Sequence, residues 1–260
     1  MRVAAVQMSS GADKGQNLAR AEELVREAVR QGAGLVSLPE HFSCLVPEAE
    51  RPGQAEPVPG PTTAFLAALS RELGIYLHAG SLLEQAGEPG KCYNTGILFG
   101  PGGDILAAYR KIHLFDVSVG GHGYHESATT LAGEEVVAVP TPLTILGLSI
   151  CYDLRFPELY RRLAGAGAGV LFVPAAFTMY TGKDHWEILV RARAIENQAY
   201  VVAAAQFGGS YFGHSMIVDP WGTPLAVAQE REMVVVAAID LAWLEKVRSD
   251  LPSLHNRRLD

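Results

Sequence analysis

The sequence predicts an α/β fold: a four-layer α-β-β-α sandwich with two mixed sheets, internally pseudo-duplicated. Short apolar runs of strand length alternate with amphipathic helical stretches along the whole chain. Two pairs of segments also align within the chain, in the same order. No Ser/Gly linker or charge run separates the halves, so residues 1–260 read as a single domain.

The elements follow in order. "RVAAVQM" (2–8) is a buried strand, and residues 17–31 place Leu18, Val25 and Val29 near one helical face with charge opposite. "GLVSLPE" (34–40) is the second strand; Phe65, Leu69 and Leu73 stripe the next helix, and "IYLHAGSLLE" (75–84) is a third strand. "NTGILFGPGGDILAAYRK" (94–111) is a pair of strands joined by a Gly/Pro-rich turn. The order then recurs. "LTILGLSIC" (143–151) is a strand, Pro157 opens a helix carrying Leu159 and Leu163, and "GVLFVPAAF" (169–177) is a strand. "DHWEILVRARAIENQ" (184–198) is a helix with Ile188, Ala192 and Ile195 aligned; "YVVAAAQ" (200–206) is a strand and 214–228 a hairpin.

The repetition is explicit in two alignments. "GAGLVSLPEHF" (32–42) lies over "GAGVLFVPAAF" (167–177), and "GILFGPGGDILA" (96–107) over "SMIVDPWGTPLA" (215–226). Each half then supplies a mixed sheet with helices on one face, and the two uncovered apolar faces pack together.

Composition narrows the setting. Twenty-eight acids against 21 bases give a formal charge of −7, which argues against nucleic-acid or anionic-membrane partners. Three cysteines, Cys44, Cys92 and Cys151, are too few and scattered for a disulfide framework or a CxxC metal site. Residues 1–17 lack the apolar core of a signal peptide, and no apolar run reaches the roughly 18 residues of a membrane span. The expected location is cytoplasmic.

Three ionisable residues sit at or just past strand ends, where open α/β sheets present their sites: Glu40, Lys111 and Cys151. If they converge, their chemistry is coherent. A thiol is mostly protonated at neutral pH and needs a base; Glu40 can take its proton and later return one to a departing amine. Lys111 can stabilise a tetrahedral oxyanion, with the backbone N–H of Tyr152 as second donor. Each residue alone also has a structural reading: a small buried thiol, a solvated edge lysine, a helix-capping glutamate. The flank "CYDLRFPE" shifts the balance for Cys151, because Asp153, Arg155 and Glu158 must pair or bind something. Competing motifs fail on spacing. Cys151 and Arg155 lie too close for a cysteine-phosphatase cradle, and His113, His122 and His125 match no zinc template. No metal and no cofactor are expected.

"LVSLPEHF", "YRKIHLFD", "ICYDLRFPEL", "HWEILVRARAIENQAYVVAAAQ" and "GHSMIVDPWG" together resemble the nitrilase, or carbon–nitrogen hydrolase, superfamily, over essentially the whole chain. Within it the chain is most similar to the Nit group of deaminated glutathione amidases and omega-amidases. The resemblance implies a general base at Glu40, a transition-state stabiliser at Lys111 and a nucleophile at Cys151. It further implies that Glu126 positions the substrate or the lysine, that Arg155 faces a substrate carboxylate, and that Phe177 and Thr181 wall the pocket. Arg155 has a rival reading as a scaffold partner of Asp153 or Glu158. Trp186 and His185 read as helix packing, Cys44 and Cys92 as incidental thiols, and "FGGSYFGHS" as a shortened segment near the pocket mouth. The activity implied is cleavage of a primary carboxamide in a small carboxylate-bearing metabolite, with deaminated glutathione ahead of 2-oxoglutaramate, then N-carbamoyl compounds and nitriles. A catalytically vestigial binding protein is the rival class. A homodimer, assembled through helices near the nucleophile strand and the C-terminal segment, is also implied.

Overall fold

The structure is a computed structural model and describes residues 1–259. The first half contains β1 (Arg2–Gln7), α1 (Lys14–Arg30), β2 (Leu35–Ser37), α2 (Arg51–Gln54), α3 (Pro61–Leu73), β3 (Tyr76–His78), β4 (Leu82–Gln85), β5 (Cys92–Phe99) and β6 (Ile105–Arg110). A two-stranded ribbon, β7 (Asp116–Val119) and β8 (His122–His125), and a short β9 (Thr130–Leu131) follow. The second half contains β10 (Ala138–Pro140), β11 (Ile145–Leu148), α4 (Pro157–Gly165), β12 (Ala168–Phe172), α5 (Met179–Asn197) and β13 (Tyr200–Ala203). After the ribbon of β14 (Phe207–Gly208) and β15 (Tyr211–Phe212) come β16 (Met216–Val218), β17 (Pro224–Val227), β18 (Met233–Ala238) and α6 (Leu241–Asp250).

The duplication is present as topology. In the first sheet β1, β2 and β3 run parallel, β5 returns antiparallel to β3, and β6 pairs antiparallel with β5. The second sheet repeats this with β11, β12, β13, β16 and β17. Each sheet even gains an antiparallel strand on the same edge, β18 beside β1 and β10 beside β11.

Period-two alternation explains the layers. On β1, Val3 and Ala5 face the second sheet and pack in a core with Leu146, Leu148 and Val170. Ala4 and Val6 face the other way, onto Leu24, Val25 and Ala28 of α1 and Leu66 and Leu69 of α3. Leu159 and Leu163 of α4, with Trp186, Val190 and Ala194 of α5, cover the far side of the second sheet. Local chemistry sets the helix ends. Asp13 caps α1 by accepting from the Gln16 amide at 3.0 Å, Pro61 and Pro157 open α3 and α4, and Gly74 closes α3 at φ 64°.

Four expectations are corrected. The strand expected over 75–84 divides into β3 and β4, because Gly80 turns the chain at φ +57° where a Cβ would lie 2.0 Å from the Pro39 carbonyl. The strand expected over 169–177 ends at Phe172, and helix α5 begins at Met179, five residues before the apolar pattern suggests. The α5 stripe of Ile188, Ala192 and Ile195 points outward: Ile188 is 69% and Ile195 51% exposed. The buried face instead carries Trp186, Val190, Arg193, Ala194 and Asn197. Among the described residues no helix is long and apolar enough to cross a membrane.

Candidate active site

All eight candidate site residues line one cavity: Glu40, Lys111, Glu126, Cys151, Tyr152, Arg155, Phe177 and Thr181. Glu40 lies beyond β2, Lys111 beyond β6 and Cys151 beyond β11, so three strand ends from both sheets deliver the central groups. Arg51, Phe115, Tyr124 and Tyr211 complete much of the wall.

Cys151 opens a single-turn 3₁₀ helix, Cys151–Arg155, with the left-handed φ of 47°. A non-glycine residue in that region is held by its surroundings. The Cys151 amide donates to the Pro174 carbonyl at 2.8 Å. Asp153, fully buried, accepts from the Ile150 amide at 2.8 Å, the Tyr109 hydroxyl at 2.6 Å and His113 Nδ1 at 2.7 Å. Asp153 thus ties the cysteine turn to the chain on both sides of Lys111. The leading N–H groups of such a turn have no partner inside it, which leaves the Tyr152 amide available as a donor beside the sulfur.

The charges are arranged around Lys111. Its ammonium, 2% exposed, donates to Glu40 Oε1 at 3.1 Å and to Glu126 Oε2 at 2.8 Å. Glu126 also accepts from the Phe115 amide at 2.7 Å, and Arg51 Nη1 stands 3.4 Å from its Oε1. Burial opposes charge on Lys111, but Glu126 and Glu40 outweigh it and hold its pKa above the ordinary lysine range. Burial likewise works against the two carboxylates, yet Lys111 keeps both below their usual range. Burial, and next the charge of Glu40, push the Cys151 thiol well above its ordinary value, against the opposing pull of Lys111. The resting arrangement is therefore an ionised glutamate beside a protonated thiol. Such a base is poised to take the proton as sulfur attacks.

Glu40, His41 and Glu126 offer ligand atoms within 4.8 Å of one another. The Lys111 ammonium already bonds both carboxylates, so the cation of this cluster is the lysine.

The outer wall distinguishes the two readings of Arg155. Among the described residues it pairs with neither Asp153 nor Glu158; Asp153 is occupied as above, and Glu158 lies exposed in the first turn of α4. The Arg155 guanidinium instead sits 5.3 Å from the Phe177 ring and 5.9 Å from that of Tyr152, with His185 Nδ1 3.3 Å from its Nη1. His185 is thus an exposed neighbour of Arg155 rather than helix packing, while Trp186 is fully buried, lies tilted against Phe177 and donates to the His214 carbonyl. Phe177 and Thr181 are buried wall residues. The Gly-rich stretch after Phe115 folds into the β7–β8 ribbon and brings Tyr124 against Phe115, and the β14–β15 ribbon delivers Tyr211. Cys44 and Cys92 are buried free thiols outside the cavity.

Sequence reasoning missed Asn94, Arg51 and His41. Asn94 Nδ2 donates to Glu40 Oε1 at 2.9 Å, and the Lys111 amide donates to the Asn94 carbonyl at 2.9 Å. Its signal was available: in the predicted 94–111 hairpin, Asn94 falls opposite Lys111. Arg51 carries no comparable signal, because it opens the four-residue helix α2, too short to show an apolar period.

Residues 2–249 match the carbon-nitrogen hydrolase family. Deaminated glutathione amidase of Synechocystis sp. (strain PCC 6803 / GT-S) is 50% identical, over 98% of this chain and 97% of its own. Omega-amidase NIT2 of Mus musculus is 43% identical over 100% of this chain and 95% of its own. Among solved structures, the C. elegans NitFhit protein superposes with a TM-score of 0.91 at 38% identity; the match covers 99% of this chain but 65% of that longer one. The chain therefore belongs to the carbon-nitrogen hydrolase family, hydrolases acting on carbon–nitrogen bonds other than peptide bonds.

Proposed function

We propose that the protein is a cysteine-dependent amidase that cleaves a small amide bearing a carboxylate near the scissile bond, with deaminated glutathione the leading substrate. Cys151 Sγ attacks the carbonyl carbon while its proton passes to Glu40. Lys111 Nζ and the Tyr152 amide hold the oxyanion. Collapse of the tetrahedral adduct expels the amine with the proton carried by Glu40. Glu40 then takes a proton from water, whose oxygen attacks the thioester; the C–S bond breaks, Cys151 Sγ recovers the proton from Glu40, and the carboxylate is released. Arg155 receives the substrate carboxylate, and Glu126 holds Lys111 in place. The observation that carries this reading is the convergence of base, ammonium and thiol from three strand ends inside one buried cavity.

Chemistry corrects one expectation about the substrate. Glutathione is γ-glutamyl-cysteinyl-glycine, so removing its amino group leaves no primary carboxamide, and its γ-amide would release cysteinylglycine rather than ammonia. 2-Oxoglutaramate, the omega-amidase alternative, would release ammonia. Both leave 2-oxoglutarate as the acid product, so the two readings share an acyl site and differ in the leaving-group side of the cavity. The test is release of 2-oxoglutarate from both compounds, beside ammonia release from an N-carbamoyl amino acid and a nitrile, with Cys151→Ala as control. Turnover of deaminated glutathione that the variant abolishes is the expected result. Preference for 2-oxoglutaramate moves the substrate, and undiminished turnover by a folded Cys151→Ala protein overturns the mechanism. A vestigial binding protein would turn over none of the four.

The reading extends to assembly and setting. The chain acts as a single unit over 1–260, because the triad draws on both halves. On the outward face of α5, Ile195 lies against Gly222, whose neighbour in sequence Trp221 is 55% exposed; a second copy is the natural cover for the exposed Ile188, Ile195 and Trp221. Ile188→Glu with Ile195→Glu should convert a homodimer to a monomer in light scattering, and a monomeric native protein would remove this part of the reading. Three free thiols fit a reducing, cytoplasmic setting.

A further inference from the structure

Asn94 is 1% exposed, sits on β5 behind the catalytic groups and forms no part of the cavity wall. Its side chain is nevertheless aimed at the site. An ionised carboxylate only accepts, so the amide nitrogen must face Glu40 Oε1, at 2.9 Å. Longer approaches run from the same nitrogen to Glu126 Oε1 at 3.5 Å and His41 Nε2 at 3.4 Å. This orientation leaves Asn94 Oδ1 buried with no partner among the described residues. A buried acceptor without a donor lowers stability, and flipping the amide would set oxygen against oxygen at Glu40. The stranded Oδ1 thus marks an orientation kept for the sake of the nitrogen.

The two oxygens of Glu40 have different surroundings. Oε1 accepts from Lys111 Nζ and from Asn94 Nδ2, groups that only donate. Oε2 accepts from the Ala176 amide at 2.9 Å, and Ala176 lines the cavity together with Cys151, so Oε2 is the oxygen left open to the thiol. We propose that Asn94 is a positioning residue that, with Lys111, confines the catalytic proton to Oε2 of Glu40. A proton on Oε1 would point at two donors. The proton leaving Cys151 Sγ therefore lands on Oε2, stays there while the C–N bond breaks, and is delivered from Oε2 to the departing nitrogen. No rotation of the carboxyl group intervenes. This inference rests on the reading of Glu40 as the base.

The test is kcat/KM against pH on 2-oxoglutaramate or deaminated glutathione, whichever is turned over, with thermal unfolding, for the native protein, Asn94→Ala and Asn94→Leu. Losing a hydrogen bond to a charged group should lower kcat by about 10- to 100-fold in both variants. KM should change little, because Asn94 touches no substrate. The acidic limb, where Glu40 takes up a proton, should move to higher pH, since the carboxylate has lost a donor. Asn94→Leu fills the volume and removes the stranded acceptor, so its unfolding temperature should equal or exceed the native one while activity stays low. If Asn94→Leu instead restores native activity, or both variants lose activity with an unmoved acidic limb, Asn94 is packing and the inference is overturned. If Glu40→Gln retains native activity, the underlying assignment of the base fails; an inactive Glu40→Gln beside native-like Asn94 variants overturns this inference alone.

Discussion

In the first half β2 runs through Pro39 into Glu40; in the second, β12 runs through Pro174 into Ala175, which is fully buried. The same strand order and proline therefore lead once to a charged side chain and once to an apolar one. The division extends through the cavity. The first half contributes Glu40, Lys111 and Glu126, whereas the second contributes Cys151, Arg155 and the backbone amides of Tyr152 and Ala176. The inner cluster of charge, including Arg51, is thus gathered on one side, and the Cys151 thiol sits against an oily wall on the other. That difference has a chemical consequence. The thiol is held neutral largely by its own burial, and the carboxylate proposed to take its proton belongs to the opposite half. Neither half alone holds both groups of the proposed proton transfer.

The largest effect should follow from removing the charged half's contribution. Glu40→Gln keeps the shape but cannot accept a proton, so kcat should fall by about 10²- to 10⁴-fold. A loss below tenfold, measured on folded protein, would mean that another group serves as base. A smaller effect is expected where the halves are tied together. Asp153→Asn weakens the bonds to Ile150, Tyr109 and His113, and should cost about 1–3 kcal/mol of stability together with about tenfold or more in kcat. Native stability and activity in that variant, by denaturant titration and steady-state kinetics, would make Asp153 a bystander.

The smallest predicted effect concerns His78, which crosses between the halves. It is fully buried, stacks on Phe172 at 4.6 Å and meets Ser37 Oγ at 2.9 Å through Nδ1. Burial lowers its pKa to about 3, so the unfolded chain, with its histidine near 6.5, takes up the proton first. Its contribution is complete above pH 6.5 and is lost as pH falls from there towards 3, at up to about 1.4 kcal/mol per pH unit. His78→Gln should therefore lose about 2 kcal/mol less stability than the native protein between pH 7 and pH 5. Parallel losses in urea titrations at the two pH values would contradict this.

The candidate trio Glu40, Lys111 and Cys151 was legible because each member lies just past an apolar run, where polarity breaks a buried strand. The duplication was legible because the Gly-Ala-Gly entry and Pro-ending exit of one strand repeat 135 positions later, from Gly32 to Gly167. The face of α5 was not legible, since burial there includes polar groups satisfied by backbone. Arg193 Nε donates to the Leu154 carbonyl at 3.0 Å, and Asn197 Nδ2 to the Arg193 carbonyl at 2.9 Å. Apolarity alone therefore selected the outward stripe. Arg51, Tyr124 and Tyr211 were hidden for another reason. They ride on the short elements α2, β8 and β15, whose placement depends on distant contacts, such as the His125 amide to Glu48 Oε2 at 3.1 Å and the Met179 amide to the Ser210 carbonyl at 2.7 Å. No local periodicity records such contacts.

The central claim is that Cys151 forms a thioester with the acyl half of the substrate across the boundary between the two halves. Protein quenched with acid during turnover of deaminated glutathione or 2-oxoglutaramate, then digested and weighed by mass spectrometry, tests it directly. A 2-oxoglutaryl adduct is expected on the Cys151 peptide, absent from Cys151→Ala and of the same mass from either substrate. Steady turnover with an unmodified Cys151 peptide, or turnover that survives in the folded Cys151→Ala protein, would contradict it.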